Sequence, residues 1–303
     1  MTILAPGISF VDLHFLGRPH AIATAVISGP GDVTLVDPGP ATCLEALEEG
    51  LHAQGIRLAD VTQVLLTHIH LDHAGATGTI VARHPRVRVL VHERGARHLI
   101  APEKLLASAA QLYGDDMDRL WGAFLPVPAA NITALAGGER VAVAGRALAV
   151  AYTPGHASHH VSYFDPESRI AFVGDTAGIC VDGGYVLPPT PPPDIDLDAW
   201  TRSAERIEAW QAATLFLTHF AASPFPPGAH LQRLLENLGT TSAMVRATLA
   251  EEGTDEERQA RFVERLRREL RRRMTDAQMQ AYGVAAPFGM LWLGLARYWR
   301  KRA

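Results

Sequence analysis

Four side chains of the kind that bind metal ions fall within six residues of Thr67-His68-Ile69-His70-Leu71-Asp72-His73-Ala74-Gly75, directly after the apolar run Val61 to Leu66. A buried strand that ends in a turn can send such side chains into one crevice. His68 and His70 share a face if the strand geometry persists, and Asp72 and His73, on the turn, can face a neighbouring point. Imidazole and carboxylate together suit a divalent ion, zinc first, with iron and manganese as alternatives. The chain has fourteen histidines and only two cysteines, Cys43 and Cys180, which are far apart. A cysteine-built metal site and a disulfide framework are therefore not expected. The cluster alone supplies too few ligands to close the shells of two ions, so further ligands are expected at other strand ends.

The rest of the sequence has the layout to provide them. Phe10 to Phe15, Ala21 to Ser28 and Val33 to Val36 are short strand-like runs, and Pro30-Gly31 between the last two reads as a hairpin turn. Thr42 to Gln54 carries Leu44, Leu47 and Leu51 at helical spacing. Ala74 to Ala82 reads as helix and Val87 to Val91 as the next strand, and Pro102 to Phe124 as two short helices inserted over one edge. Strands resume at Arg140 to Ala144, Ala147 to Tyr152, His160 to Phe164, Ile170 to Val173 and Gly184 to Leu187. The prolines from Pro188 to Pro193 make a stiff loop. Asp198 to Gln211 is a helix and Leu215 to Thr218 a last short strand. Beyond about Phe220 only helices are expected: one or two over Ala229 to Glu251, then starts at the capping boxes Thr254 to Glu257 and Thr275 to Gln278. The layout is an α/β body over 1–222 followed by a helical region over 223–303 that packs on it.

Later strands end in ligand-type residues. His156 follows Tyr152-Thr153-Pro154-Gly155, Asp175 follows Phe172-Val173-Gly174, and His219 follows Leu217-Thr218. A lone histidine after a strand is most often a hydrogen-bonded structural residue. Taken in this order with the cluster, the three read as one site.

Together with Val36-Asp37-Pro38-Gly39, these motifs resemble those of the metallo-β-lactamase superfamily, in family order over about the first 220 residues. The resemblance implies an α/β fold, the αββα four-layer sandwich, here with a C-terminal helical extension and with metals at one edge. It implies that His68, His70 and His156 bind one metal, that Asp72, His73 and His219 bind a second, and that Asp175 bridges both. Asp37, by the same resemblance, binds no metal but buttresses the ligands from behind. The oxygen-reducing diiron relatives replace the second histidine of the cluster with Glu, and the persulfide dioxygenase type binds a single iron. Here that position is His70 and the second-metal set is intact, which argues for hydrolysis.

Two divalent ions sharing a water lower its pKa from about 15.7 towards ~7, so hydroxide is available at neutral pH to attack a carbonyl or phosphoryl centre. Asp72 is the expected catalytic residue, orienting that nucleophile or carrying its proton. No Gly-x-Ser-x-Gly occurs, and neither cysteine has the neighbours of a nucleophile. The expected activity is that of a binuclear metal-dependent hydrolase using a metal-bridging hydroxide on a small-molecule ester, thioester or lactone. A nuclease or phosphodiesterase of the same fold, and a metal-binding module without turnover, are the alternatives. The pocket walls are expected from Pro102 to Phe124, the proline loop and the tail, apolar or neutral more than basic. His159 and His160 are further candidates for its lining.

Composition bounds the rest. With 48% apolar and 20% charged residues, the chain falls in the ordinary globular class. No apolar run approaches the ~20 residues of a membrane span, and no secretory signal is read at the start, so the cytoplasm is the expected compartment. The net charge of −4 conceals a tail from Asp255 onward with twelve Arg or Lys against six Asp or Glu. Phe262, Val263, Leu266, Leu270 and Met274 recur there at helical spacing. Glu257/Arg261, Glu264/Arg268 and Glu269/Arg273 form i,i+4 pairs, the pattern of a solvated face on a docked helix rather than a nucleic-acid footprint. Leu291, Trp292, Leu295 and Trp299 make a second stripe, followed by Arg300-Lys301-Arg302; it is read as docking on the body, with a membrane-surface helix and a homo-oligomer contact as the alternatives. This reading predicts no RNA or DNA binding in a fluorescence-anisotropy titration at low salt; affinity that falls steeply with added salt is the contrary result.

Overall fold

Two sheets stacked face to face bury apolar side chains on both of their faces, which is why most strands read as near-continuous Val, Leu, Ile and Ala runs. The computed structural model describes residues 2–181 and 184–302; Met1, Asp182, Gly183 and Ala303 lie outside. The first sheet holds β1 (Thr2–Ala5), β2 (Ile8–Asp12), β3 (Ala23–Gly29), β4 (Asp32–Val36), β5 (Val61–Leu65), β6 (Arg88–His92) and β7 (Ile132–Leu135), side by side in sequence order. It is antiparallel up to β4 and parallel from β4 to β7. Parallel neighbours need long crossovers. These carry α1 (Leu44–His52), then α2 (Leu71–Ala74) and α3 (Thr77–Arg83), then α4 (Glu93–Ile100), α5 (Glu103–Tyr113) and α6 (Met117–Leu120).

The second sheet holds β8 (Arg140–Val143), β9 (Arg146–Tyr152), β10 (Val161–Asp165), β11 (Ile170–Phe172), β12 (Thr214–Leu217) and β13 (Ala221–Ala222), in the reverse spatial order from β13 to β8. The parallel pair β11–β12 is joined through α7 (Leu197–Ala209). The chain ends in α8 (Pro227–Leu249), α9 (Asp255–Leu270), α10 (Asp276–Ala285) and α11 (Phe288–Arg300).

Three apolar cores follow from this stacking. Ala25 and Ile27 meet Tyr163 and Phe172 between the sheets. Val26, Leu35 and Val64, on the opposite face, meet Leu47, Leu51 and Ile80 of the covering helices. Ala171 and Leu215 point the other way, towards Trp200 of α7, Leu234 of α8, Phe262 of α9 and Trp292 of α11. The architecture is the αββα sandwich, and the tail helices share the outer core of the second sheet. Each fully buried Leu or Phe contributes about 1.5–3 kcal/mol.

The tail docks by its apolar stripes. Phe262, Leu266 and Leu270 are buried, as are Leu291, Trp292 and Leu295. Trp292 Nε1 donates to Thr248 Oγ1 at 2.9 Å, and Trp299 Nε1 to Ser242 Oγ at 3.1 Å. Both expected capping boxes form, at Thr254 and Thr275. Of the three expected i,i+4 pairs, Glu269–Arg273 forms at 3.1 Å. Glu257 instead caps the Thr254 amide, and Arg261 pairs with Glu251 at 2.9 Å. Among the described residues no helix is long and apolar enough to cross a membrane.

Some local expectations are corrected. Gly184 to Leu187 is not a strand; only Leu187 forms a bridge, to Ile179, because the proline loop turns the chain away from the sheet. Of Ala229 to Glu251, the stretch to Leu249 lies in a single helix, α8, and Ala250 and Glu251 follow its end. β1, β7 and α4 carry too little apolar pattern to be read; α4 buries only Gly95, Ala96 and Leu99.

The tail also touches the proline loop. Thr190 Oγ1 donates to Leu291 O at 3.0 Å, and a Cβ on Gly294 would lie 2.1 Å from Thr190 O. Gly294→Ala is therefore expected to destabilise by about 1–3 kcal/mol through overpacking. Gly239→Ala, on an exposed stretch of α8 with nothing within 4 Å of the new methyl, is expected to stabilise by up to about 1 kcal/mol. Urea unfolding of both variants checks the pair; equal effects would contradict the close approach.

Candidate metal centre

The expected ligands converge because the ends of β4, β5, β11 and β12 and the loop after β9 open at one edge of the two sheets. Asp37 follows β4 with a left-handed φ of 52°, which aspartate tolerates better than most residues. Its buried carboxylate then gathers the edge. Thr67 donates to Oδ1 from its amide at 2.8 Å and to Oδ2 from its hydroxyl at 2.7 Å. His73 Nδ1 and Thr218 Oγ1 each donate to Oδ2 at 2.8 Å. Asp37 thus ties the end of β5, the turn of α2 and the end of β12 to β4.

Those bonds fix which nitrogen of each ring faces inward. His73 spends Nδ1 on Asp37, His156 spends Nδ1 on Pro189 O at 2.8 Å, and His219 spends Nδ1 on Ala21 O at 2.7 Å. His68 Nδ1 lies 3.1 Å from Thr67 Oγ1, whose proton goes to Asp37. In all four, Nε2 is left as the inward lone pair. His70 presents Nδ1 instead, 2.9 Å from both His68 Nε2 and His156 Nε2.

Two triads result. His68, His70 and His156 form one and Asp72, His73 and His219 the other; within each, the ligand atoms lie within 4.8 Å of one another. Asp175 stands between them. Its Oδ2 is 3.4 Å from His156 Nε2, and its Oδ1 is 3.3 Å from His73 Nε2 and 3.6 Å from His219 Nε2. Asp72 Oδ2 is 3.3 Å from His219 Nε2. His73 Nε2, His219 Nε2 and Asp175 Oδ1 are buried and make no hydrogen bond. Buried polar atoms without partners are rare in native structures. Inward nitrogen lone pairs facing one another repel unless a cation stands between them. The donor set of five imidazoles and two carboxylates therefore fits divalent ions.

The charges at the site divide the same way. Burial holds the His70 imidazole down to about 4 and pushes His68 and His156 down as well. Burial acts downward on His73 and His219 too, but the carboxylates of Asp175 and Asp72, with Asp37 in the case of His73, outweigh it and raise both. Burial would raise Asp72 and Asp175; the facing histidines hold Asp72 at about 2 and Asp175 well below the usual carboxylate range.

A cavity of about 350 Å³ opens onto the two triads. Its walls come from α5, the proline loop and the α10–α11 junction, the three segments expected to build it. One expectation about it is corrected. His159 lines the cavity, but His160 does not. One residue from the start of β10, His160 turns inward, where Nδ1 lies 3.0 Å from Thr153 Oγ1 and its ring stacks 5.0 Å from that of His68. Apolar and neutral residues make up most of the lining, as expected, and the basic Arg94, Arg97 and Lys104 line it too. The two arginines sit on the unforeseen α4. Thr67 and Thr218 were legible only as motif letters; each directly precedes a ligand histidine at a strand end. Gly174, with φ 45°, lets the chain pass close under this layer, since a Cβ there would lie 2.5 Å from Thr67 Oγ1.

Comparison with known proteins agrees with the fold. The model of the metallo-beta-lactamase superfamily matches residues 17–219. The chain belongs to this superfamily. It is 30% identical over 176 residues to the metallo-beta-lactamase fold-containing protein ST1585 of Sulfurisphaera tokodaii, covering 57% of this chain and 66% of that protein. It is 30% identical to hydroxyacylglutathione hydrolases of two Synechococcus strains, over 66% and 79% of this chain and 62% and 80% of theirs. The chain thus spans slightly less than two thirds of the length of the first two of these relatives. Among solved structures, the metallo-beta-lactamase family protein TTHA1429 of Thermus thermophilus superposes with a TM-score of 0.73 at 23% identity, over 99% of this chain and 95% of that one. That likeness in fold extends over the helical tail.

The opposed charge states predict an order of metal loss. Ligands must be deprotonated to bind, and His73 and His219 keep protons to higher pH than His68, His70 and His156. As pH falls, an ion at Asp72, His73 and His219 should leave before one at His68, His70 and His156. Metal content after dialysis at stepped pH tests this; a single-step loss of both ions would contradict it.

Proposed function

We propose that the chain is a binuclear metal-dependent hydrolase of a small ester, thioester or lactone, with zinc as its ion. The observation that carries this reading is Asp175, whose two oxygens face two complete triads of inward lone pairs. His68, His70 and His156 would hold one ion, Asp72, His73 and His219 the other, and Asp175 would bridge them. Bound there, two such ions act as a Lewis acid on the scissile carbonyl and lower the pKa of water towards ~7.

The chain's own residues do the rest. Asp72 lines the cavity as well as facing His219, and its depressed pKa keeps it ionised at neutral pH. It is the group that accepts a hydrogen bond from the attacking water and orients it. Asp37 fixes the ring of His73 and, through Thr67 and Thr218, the two strand ends on which the ligands sit. The apolar walls exclude bulk water and strengthen every charge interaction inside. In this reading residues 1–222 are the catalytic body, and 223–303 close the pocket with Ala286, Met290 and Leu291. The relatives named hydroxyacylglutathione hydrolase support the thioester within the proposed substrate range, because an acylglutathione is a thioester.

The test is a metal-loaded preparation assayed on thioesters, lactones, carboxylic esters and phosphodiesters. Two equivalents of metal per chain and chelator-sensitive cleavage of a carbonyl substrate are expected. Asp175→Ala should reduce turnover to background, and Asp37→Asn should cost about 10- to 100-fold in activity or metal affinity. Metal-loaded protein that cleaves only phosphodiesters, or nothing, would overturn the reading.

A further inference from the structure

We infer that the substrate is an amphiphile: an apolar acyl group joined to a leaving thiol or alcohol that carries an anionic group, with Arg94, Arg97 and Lys104 receiving the anion. This rests on the hydrolase reading above and narrows it.

The placement of α4 is the first reason. A Cβ on its Gly95 would lie 2.9 Å from Ile69 Cγ2 and 3.6 Å from His159 Cβ, so the helix is pressed against the His68–His73 turn. Arg94 and Arg97 stand three residues apart, on one helix face, and both line the cavity that contains Asp72 and Asp175. Lys104, from the first turn of α5, joins them there. All three side chains are exposed, at the open side of the cavity.

These cations have no carboxylate partner among the described residues. Arg94 Nη1 donates to Tyr152 Oη at 3.0 Å, and its guanidinium lies 5.6 Å from the centre of that ring. Arg97 Nε donates to His98 Nε2 at 3.2 Å. Tyr152 in turn donates to Ser158 O at 2.9 Å, which steadies Arg94 beside the metal turn. Asp194, the carboxylate in the cavity lining apart from Asp72 and Asp175, is engaged by Ser158 Oγ. The tail shows the contrast: Arg261 and Arg265 share Glu251, and Arg272 and Arg273 share Glu269. Burial, and then the charges of Arg97 and Lys104, lower the pKa of His98, with Asp194 the smaller opposing charge, in keeping with a net positive potential at this rim.

The inner wall has the opposite character. Leu105, Ala109, Leu112, Pro191, Met290 and Leu291 face the cavity with no charged group among them. At about 350 Å³ the space lies near the lower end of small-molecule pockets, which run to roughly 300–1,000 Å³. An acyl chain fits that wall. A small hydroxylated acyl group would leave it unfilled and would set a hydroxyl against hydrocarbon. The exposed cations, where a leaving group departs to solvent, favour the anion on the thiol or alcohol half.

The experiment compares four thioesters on the zinc-loaded protein: S-hexanoyl and S-acetyl derivatives of 3-mercaptopropionate, and the same pair on its methyl ester. The free carboxylate should raise kcat/KM about tenfold at low salt, an advantage that shrinks as salt screens it. Hexanoyl should exceed acetyl by about fourfold per methylene, from about 0.8 kcal/mol per buried CH₂. The triple variant Arg94→Gln, Arg97→Gln, Lys104→Gln should bring the ratio of anionic to neutral substrate close to one. Arg83→Gln, an arginine paired with Glu48 outside the cavity, should leave that ratio as it is. Calorimetry with the uncleavable thioether 3-(hexylthio)propionate and its methyl ester reads the same preference without turnover. If nothing is cleaved yet the carboxylate binds more tightly and the triple variant abolishes the difference, the hydrolase reading fails and the anion subsite stands. Equal binding and equal cleavage of charged and neutral partners, or a preference unchanged in the triple variant, would overturn the inference.

Discussion

A carboxylate with no exposed surface is stable only when its lone pairs are filled, and Asp37 fills them with donors from three separate parts of the chain. The rest of the site follows from that. The Thr67 bonds set the last turn of β5 before the histidine cluster, the Thr218 bond does the same for β12, and the His73 bond selects the inward nitrogen of a ligand. Removing one of these hydrogen bonds would cost about 1.5–3 kcal/mol, the worth of a hydrogen bond to a charged group. The left-handed backbone at Asp37 is the local strain that brings the carboxylate under all of them.

Above this hub, repulsion and attraction are balanced in a way that favours cations. Five imidazoles turn lone pairs inward, and two carboxylates stay ionised beside them. A protein without ions must neutralise this arrangement with protons, and His73 and His219 take them up. Divalent ions held there would replace those protons and satisfy His73 Nε2, His219 Nε2 and Asp175 Oδ1 together.

Much of this was legible in the sequence, because ligand residues at strand ends announce themselves through spacing. The cluster His68 to His73, and His156, Asp175 and His219 after apolar runs, come together as the pattern requires. The hairpin at Pro30-Gly31 and the helical capping boxes depend on local backbone chemistry and were equally readable. What the sequence withheld depends on packing between distant elements. Helix α4 buries two small residues and one leucine, so its periodicity is faint, and the basic rim it carries went unseen with it. His160 could not be assigned a side from alternation alone; its inward turn is set by the close pass of Gly174. Arg261 looked like a partner for Glu257 until the preceding turn brought Glu251 closer.

The helical tail completes the pocket rather than standing apart from it. Its apolar stripes enter the outer core of the second sheet, and α11 meets the proline loop whose Pro189 carbonyl accepts from His156 Nδ1. The pocket wall and a proposed metal ligand are therefore linked through a few backbone contacts. The most direct test of the whole account is anomalous X-ray scattering at the metal absorption edge from crystals of the purified protein. Two peaks roughly 3.5–4 Å apart are expected, one among His68, His70 and His156 and one among Asp72, His73 and His219, with Asp175 between them. A single peak, or peaks away from these side chains, would contradict it.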